Sequence, residues 1–113
     1  MITLYGIPNC DTMKKARKWL AEHDVDYVFH DYKKLGIDES LLRDWISRVG
    51  WEVLLNRRGM MWRKLSQQQR DNIDEQSAVS IMLSTPSIIK RPVLVQDDLI
   101  LVGFDEARYR ELI

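Results

Sequence analysis

Ile2-Thr3-Leu4-Tyr5-Gly6-Ile7-Pro8-Asn9-Cys10-Asp11-Thr12 decides the fold. The first four of these residues form a β-type run that Gly6 and Pro8 bring to an end, and the Asn9 to Thr12 cluster has the short polar residues that start helices. Met13, Ala16 and Leu20 then recur at helical spacing while Lys14, Lys15 and Lys18 project elsewhere, which predicts an amphipathic helix running to about His23. Tyr27-Val28-Phe29-His30 is β-rich again, so the opening segment reads as a β-α-β unit. A right-handed crossover makes its two strands parallel.

Beyond that unit the pattern turns helical. Asp38 caps a helix that places Leu41, Leu42, Trp45, Ile46 and Val49 on one side, and Gly50 supplies its stop. Ser66 with Gln69 has the spacing of a capping box. Asp74 to Leu83 is a further helical stretch with Ala78, Val79, Ile81 and Met82 on its buried side, and Pro86 lies just past its end. From Pro92 the chain becomes β-type: Val93-Leu94-Val95, an Asp97-Asp98 turn and Leu99-Ile100-Leu101-Val102 predict a hairpin closed by Gly103, followed by a last helix within Asp105 to Leu112. This order predicts an α/β chain of thioredoxin-like fold, a mixed four-stranded sheet with an inserted helical subdomain. Residues 1–113 are expected to form a single domain, its thioredoxin-like parts at about 1–33 and 86–113 and the insertion at about 34–85. No repeat, low-complexity segment or linker divides it.

Length and composition agree with that reading. A chain of 113 residues, 45% hydrophobic and 30% charged, has the material for one packed core and a solvated surface. Its 17 basic residues cancel 17 acidic ones, so no overall field drives binding to nucleic acid or an anionic membrane. The apolar runs fall far short of the roughly 20 residues of a membrane span, and Met1-Ile2-Thr3 opens no signal-peptide pattern, so a cytoplasmic protein is expected. The one cysteine, Cys10, excludes an internal disulfide and an intramolecular CxxC couple, and with two distant histidines it makes no structural zinc site. Any thiol chemistry takes its second sulfur from outside.

Cys10 stands where the first strand meets the first helix, and the unpaired N–H groups of a helix start favour thiolate over thiol. Lys14, one turn on, adds positive potential, whereas Asp11 beside the sulfur opposes it. Against this stands the inert buried state usual for a lone cysteine; the placement after Gly6, Pro8 and Asn9 favours the reactive one. Arg91-Pro92 enters the second β-rich region; an X-Pro bond permits cis geometry, and an arginine there offers a planar fork of donors to a carboxylate or oxyanion. Arg57, Arg58, Arg63, Lys64 and Arg70 form a run with no acidic residue among them, either a solvated face or a site for an anion or a partner. Trp62 inside the run is a weak hint of base stacking, and no direct nucleic-acid binding is expected. Trp19, Trp45 and Trp51 read as core, His23 and His30 as surface or strand-end residues. No phosphate-binding loop or dinucleotide fingerprint occurs.

Residues 2–12, with Leu54-Leu55-Asn56-Arg57-Arg58-Gly59, Ile88-Ile89-Lys90-Arg91-Pro92-Val93-Leu94-Val95 and Leu101-Val102-Gly103-Phe104, together resemble the ArsC/Spx family of arsenate-reductase-like proteins. The Cys10 to Trp19 stretch is similar to the YffB-type subgroup. The resemblance implies a thioredoxin-like fold with a helical insertion. Its arsenate reductases couple the N-terminal cysteine and three arginines to glutathione and glutaredoxin. Cys10 and Arg91 match that set, the last arginine position falls near Gly103, and the middle one falls on Asn56 unless Arg57 or Arg58 replaces it. Spx-type regulators bind RNA polymerase and often carry CxxC, where this chain has Met13 as the second member. The resemblance therefore implies a glutathione-dependent thiol reductase with Cys10 as nucleophile, no bound cofactor, no metal, and glutathione as co-substrate. Asn9, Thr12, Lys14, Arg57, Arg58, Arg91 and Pro92 are its candidate substrate- or glutathione-binding residues. The alternatives are an arsenate reductase of low activity, partnered by glutaredoxin, and a non-enzymatic regulator that docks on RNA polymerase through the basic run.

Overall fold

The computed structural model describes residues 1–113 and resolves them into two compact units, Met1–Leu35 with Arg91–Ile113, and Gly36–Lys90. The first unit is built on a four-stranded sheet of order β2-β1-β3-β4, with β1 at Ile2–Gly6, β2 at Tyr27–Asp31, β3 at Val93–Gln96 and β4 at Leu99–Val102. β1 and β2 are parallel, with Ile2 opposite Tyr27 and Gly6 opposite Asp31, joined by α1 (Asp11–Glu22). β3 runs antiparallel to β1, pairing Tyr5 with Val93, and β4 returns antiparallel to β3 through a turn in which Asp97 takes a left-handed φ of 51°. This is the expected thioredoxin-like α/β sheet.

The apolar face of α1 holds the sheet. Met13, Ala16, Trp19 and Leu20 pack with Ile2, Leu4, Leu94, Leu101 and Tyr109 into one core cluster. Burying such side chains supplies the main favourable term for so small a sheet. Tyr109 lies in α8 (Glu106–Tyr109), which Asp105 caps by accepting from the Ala107 N–H at 3.0 Å. A single helical turn, Arg110–Leu112, follows it as 3₁₀ rather than as more α-helix. At the end of β1 the helix comes so near that a Cβ on Gly6 would run into the Met13 thioether.

The second unit is helical. α3 (Glu39–Val49) starts at Asp38, whose carboxylate accepts from the Leu41 N–H at 3.2 Å, and stops at Gly50, which has a φ of 89°. α4 (Trp51–Leu54), α5 (Met60–Arg63) and α6 (Gln67–Asp71) are single turns or little more; α7 (Glu75–Ser84) is longer. Ser66 with Gln69 and Asp74 with Ser77 form capping boxes at the starts of α6 and α7. α3 and α4 both pack on α7. Within the unit Leu42, Trp45, Leu54, Ala78, Val79 and Met82 are buried, whereas Leu41 and Ile81, expected inside, are half-buried at the margins of their faces. Leu55, just past α4, and Ile89, near the end of the unit, form an isolated antiparallel bridge, helped by the Lys90 N–H donating to the Leu54 carbonyl at 2.8 Å. No helix in either unit is long and apolar enough to cross a membrane.

Candidate functional site

Cys10 follows β1 by four residues and occupies the N-cap of α1 with an extended backbone, φ −142° and ψ 129°. Its carbonyl accepts the first intrahelical bond, from the Lys14 N–H at 3.0 Å. The neutral thiol makes no cap hydrogen bond, so the first amides of α1 have no side-chain oxygen to meet and act on the sulfur instead. Burial is the largest single influence on the half-buried thiol and pushes its pKa up; the Met13 amide, the Arg91 guanidinium and the Thr12 amide together outweigh it. The net direction is down, towards thiolate, as a helix start and an adjacent cation require. Neither Lys14, which is solvent-exposed, nor Asp11 contributes to this balance. Arg91 supplies the cation that the sequence assigned to Lys14.

Arg91 is carried to the sulfur by the sheet. β3 begins at Val93 beside Tyr5, the penultimate residue of β1, so the two residues before Val93 lie at the end of the sheet from which the Cys10 turn departs. The Arg91–Pro92 peptide bond is cis, Pro92 is buried, and its carbonyl accepts from the Gly103 N–H at 2.8 Å. Gly103 has a φ of 79°, a conformation that an arginine adopts only with strain. Of the expected site residues, Cys10, Thr12 and Arg91 therefore meet; Asn9 precedes the sulfur on the exposed side of the turn.

Arg57 and Arg58 belong to the second unit. The Arg57 guanidinium lies over the rings of Trp51 and Trp62, 5.3 and 5.6 Å from their centroids, a cation–π arrangement that explains why Trp51 and Trp62 remain half-buried. Arg58 is exposed, and its N–H donates to the Asn56 side-chain oxygen at 3.1 Å. Arg70 is spent locally, donating to the carbonyls of Arg63 and Leu65. The same unit has a polar recess of about 580 Å³ between α6 and α7. Ser66, Gln69, Asp74 and Ser77 on its walls are already engaged in the two capping boxes. No cluster of three His, Cys, Asp or Glu side chains comes together anywhere.

Tyr32 was missed by sequence reasoning. It opens α2 (Tyr32–Leu35), is 2% exposed, and lies within the electrostatic reach of both Tyr5 and Arg91. Only its place just past a strand end hinted at it. His30 is likewise more than a strand-end residue, since its ring is tilted against Tyr5 at 4.7 Å.

A model of the ArsC family matches residues 5–112 of the chain. Among solved structures, a YffB protein is 51% identical and superposes with a TM-score of 0.94 over 98% of this chain and 97% of its own. An arsenate reductase (ArsC) related protein from Brucella melitensis is 53% identical, with a TM-score of 0.80 over 97% of this chain and 92% of its own. The global transcriptional regulator Spx of Listeria innocua is 27% identical over 117 residues, covering 100% of this chain and 87% of the regulator.

Proposed function

The chain belongs to the ArsC family, and from that premise we propose that it is a glutathione-dependent thiol reductase of the cytoplasm. The observation that carries this reading is the junction of Cys10, the first amides of α1 and Arg91, which together favour the thiolate. The thiolate attacks one sulfur of a glutathione-mixed disulfide, forms Cys10–S–S–glutathione and expels the other sulfur as a thiolate that takes up a proton. A second glutathione thiolate then attacks the glutathione sulfur of that adduct, releasing glutathione disulfide and the Cys10 thiolate. The balance is one substrate disulfide reduced and one glutathione disulfide formed, so the chain needs no second cysteine. Arg91 presents a planar fork suited to a glutathione carboxylate as well as to the sulfur. Thr12 and Asn9 flank the reacting atom, Pro92 fixes the backbone beside it, and Lys14 adds positive potential for an anionic tripeptide.

Intact-mass analysis after exposure to glutathione disulfide tests the reading. One glutathionyl group is expected on the wild-type chain and none on Cys10→Ser; an unmodified wild-type chain refutes the proposal. The full-length likeness to Spx favours a second reading, a transcriptional regulator that docks on RNA polymerase through the basic run without using the thiol. Co-purification with polymerase that survives Cys10→Ser would select it.

A further inference from the structure

Between Glu52 and Asp71 the chain has five basic residues and no acidic one. Elsewhere in the helical unit the arginines of α3 are neutralised: Arg43 pairs with Glu39 at 2.9 Å and Arg48 with Asp44 at 3.3 Å, each one turn back along the helix. Within the run Arg57, Arg58, Arg63 and Lys64 are exposed and form no ion pair, even though Glu52 lies beside Trp51. Arg70 is engaged by the backbone: it donates to the carbonyls of Arg63 and Leu65 and so clips the end of α5, while the Asn56 side-chain oxygen holds the Arg58 N–H at 3.1 Å before that helix begins. The unpaired cations therefore stand on a backbone held from both sides, which lowers the ordering cost of binding.

Arg57 is the most constrained of them. Its guanidinium lies 5.3 Å from the Trp51 ring centroid and 5.6 Å from that of Trp62, and its N–H groups make no hydrogen bond. Stacking fixes the plane of the guanidinium and removes rotamer freedom that an exposed arginine would otherwise lose on binding, yet it leaves the fork of donors at the edge unused. Such a fork matches a carboxylate. A nucleic acid fits less well, because the two indoles that would stack its bases are already engaged by Arg57. The apolar neighbour points the same way: Met60, 68% exposed, shares the outward side of α5 with Arg63 and Lys64 at helical spacing. A methionine among cations suits an apolar side chain carried by an acidic protein segment.

We propose that residues 57–64 form a docking site for an acidic protein segment with an apolar side chain among its carboxylates, one carboxylate held by the tryptophan-stacked fork of Arg57 and the apolar side chain resting on Met60. The proposal rests on the reading of the basic run as a docking surface, which it deepens by naming the partner's chemistry and the anchoring residue. It requires no thiol chemistry.

The experiment titrates the full chain into a short fluorescein-labelled peptide of glutamates with one central leucine and follows anisotropy at low salt. The peptide is expected to bind and to be released as salt rises, because exposed charges are screened. Glutamine in place of its glutamates should abolish binding, and serine in place of its leucine should weaken binding to wild type but not to Met60→Ser; exchanges made on the peptide leave the fold untouched. Arg57→Lys keeps the charge but loses the fork and the stacking, and is expected to weaken binding about tenfold or more, whereas Arg63→Ala should weaken it less than about fivefold. A wild-type chain that ignores the peptide, an Arg57→Lys chain that binds it like wild type, or a single-stranded oligothymidine that binds more tightly than the peptide would each overturn the proposal. If the peptide binds through Arg57 and RNA polymerase does not co-purify, the site stands and only polymerase falls as its partner; if polymerase co-purifies undiminished with Arg57→Lys, the docking reading stands and the site falls.

Discussion

Replacing Gly6 by alanine tests how closely the first strand and the first helix are fitted around the Cys10 turn. The added Cβ would overlap the Met13 Sδ and lie 2.8 Å from its Cε and 3.3 Å from its Cγ. Methionine is adaptable, yet three consecutive atoms of the same side chain are involved, and Met13 is completely buried in the core cluster with nowhere open to swing. Overpacking of this kind costs about 1–3 kcal/mol. With an unfolding entropy of about 2.1 cal/mol/K per residue, each kcal/mol lowers the melting temperature of a chain this size by about 4 °C, so Gly6→Ala should melt about 4–12 °C below wild type. Thermal denaturation followed by circular dichroism measures it. Adding Met13→Ala separates the causes: the second change removes the obstructing atoms, so the double variant should be less destabilised than the sum of the two single ones. A Gly6→Ala protein that melts with the wild type, or strictly additive effects, would refute the close-approach account.

Other outcomes follow from the site. Half-maximal alkylation of Cys10 should fall below the ordinary free-thiol value of about 8.5, and a midpoint at or above it would mean that burial wins over Arg91 and the helix amides. Because the folded chain releases this proton before the unfolded one does, wild type should gain stability over Cys10→Ser as pH rises from the folded midpoint towards about 8.5, and lose that advantage as pH falls through the folded midpoint; paired melts across pH check the sign. Arg91→Ala should still take up glutathione, but at a disulfide concentration about one to two decades higher, since a charge-assisted hydrogen bond of about 1.5–3 kcal/mol is lost; uptake at wild-type concentrations would remove Arg91 from the binding site. Arsenate turnover with glutathione and glutaredoxin should be weak or absent, given Gly103 and its positive φ at the last arginine position of the family's reductases, and vigorous turnover in a coupled assay would overturn that expectation.

The sheet was legible because its strands are short, β-rich and bounded by Gly6, Pro8, Pro92 and Gly103, and because one buried helix face repeats cleanly through Met13, Ala16 and Leu20. Asp38, the Ser66–Gln69 box and Asp74 announced their helices through side-chain chemistry that acts locally. α2, α4 and α5 were not legible, since four residues are too few to show a period. At the site, the placement of Cys10 at a helix start was readable, but the identity of its cation was not. Lys14 is one helical turn away in sequence and is not among the groups that lower the thiol, whereas Arg91 arrives through strand pairing that no local pattern encodes. Tyr32 was invisible for the same reason. Trp51 looked like core and is half-covered by Arg57, a pairing set by tertiary contact alone.

The first unit is assembled from both ends of the chain, and this has a consequence during synthesis. At about 5–20 residues per second, the roughly eighty residues between Cys10 and Arg91 take about 4–16 s to add. Throughout that interval α1 has β1 and β2 beside it but not β3 and β4, and a helix of its length has little stability of its own in water. The nascent cysteine therefore waits without its arginine. The cation that lowers the thiol reaches Cys10 only once Val93 has paired with Tyr5, so a chain cut short of Arg91 has the cysteine without that cation.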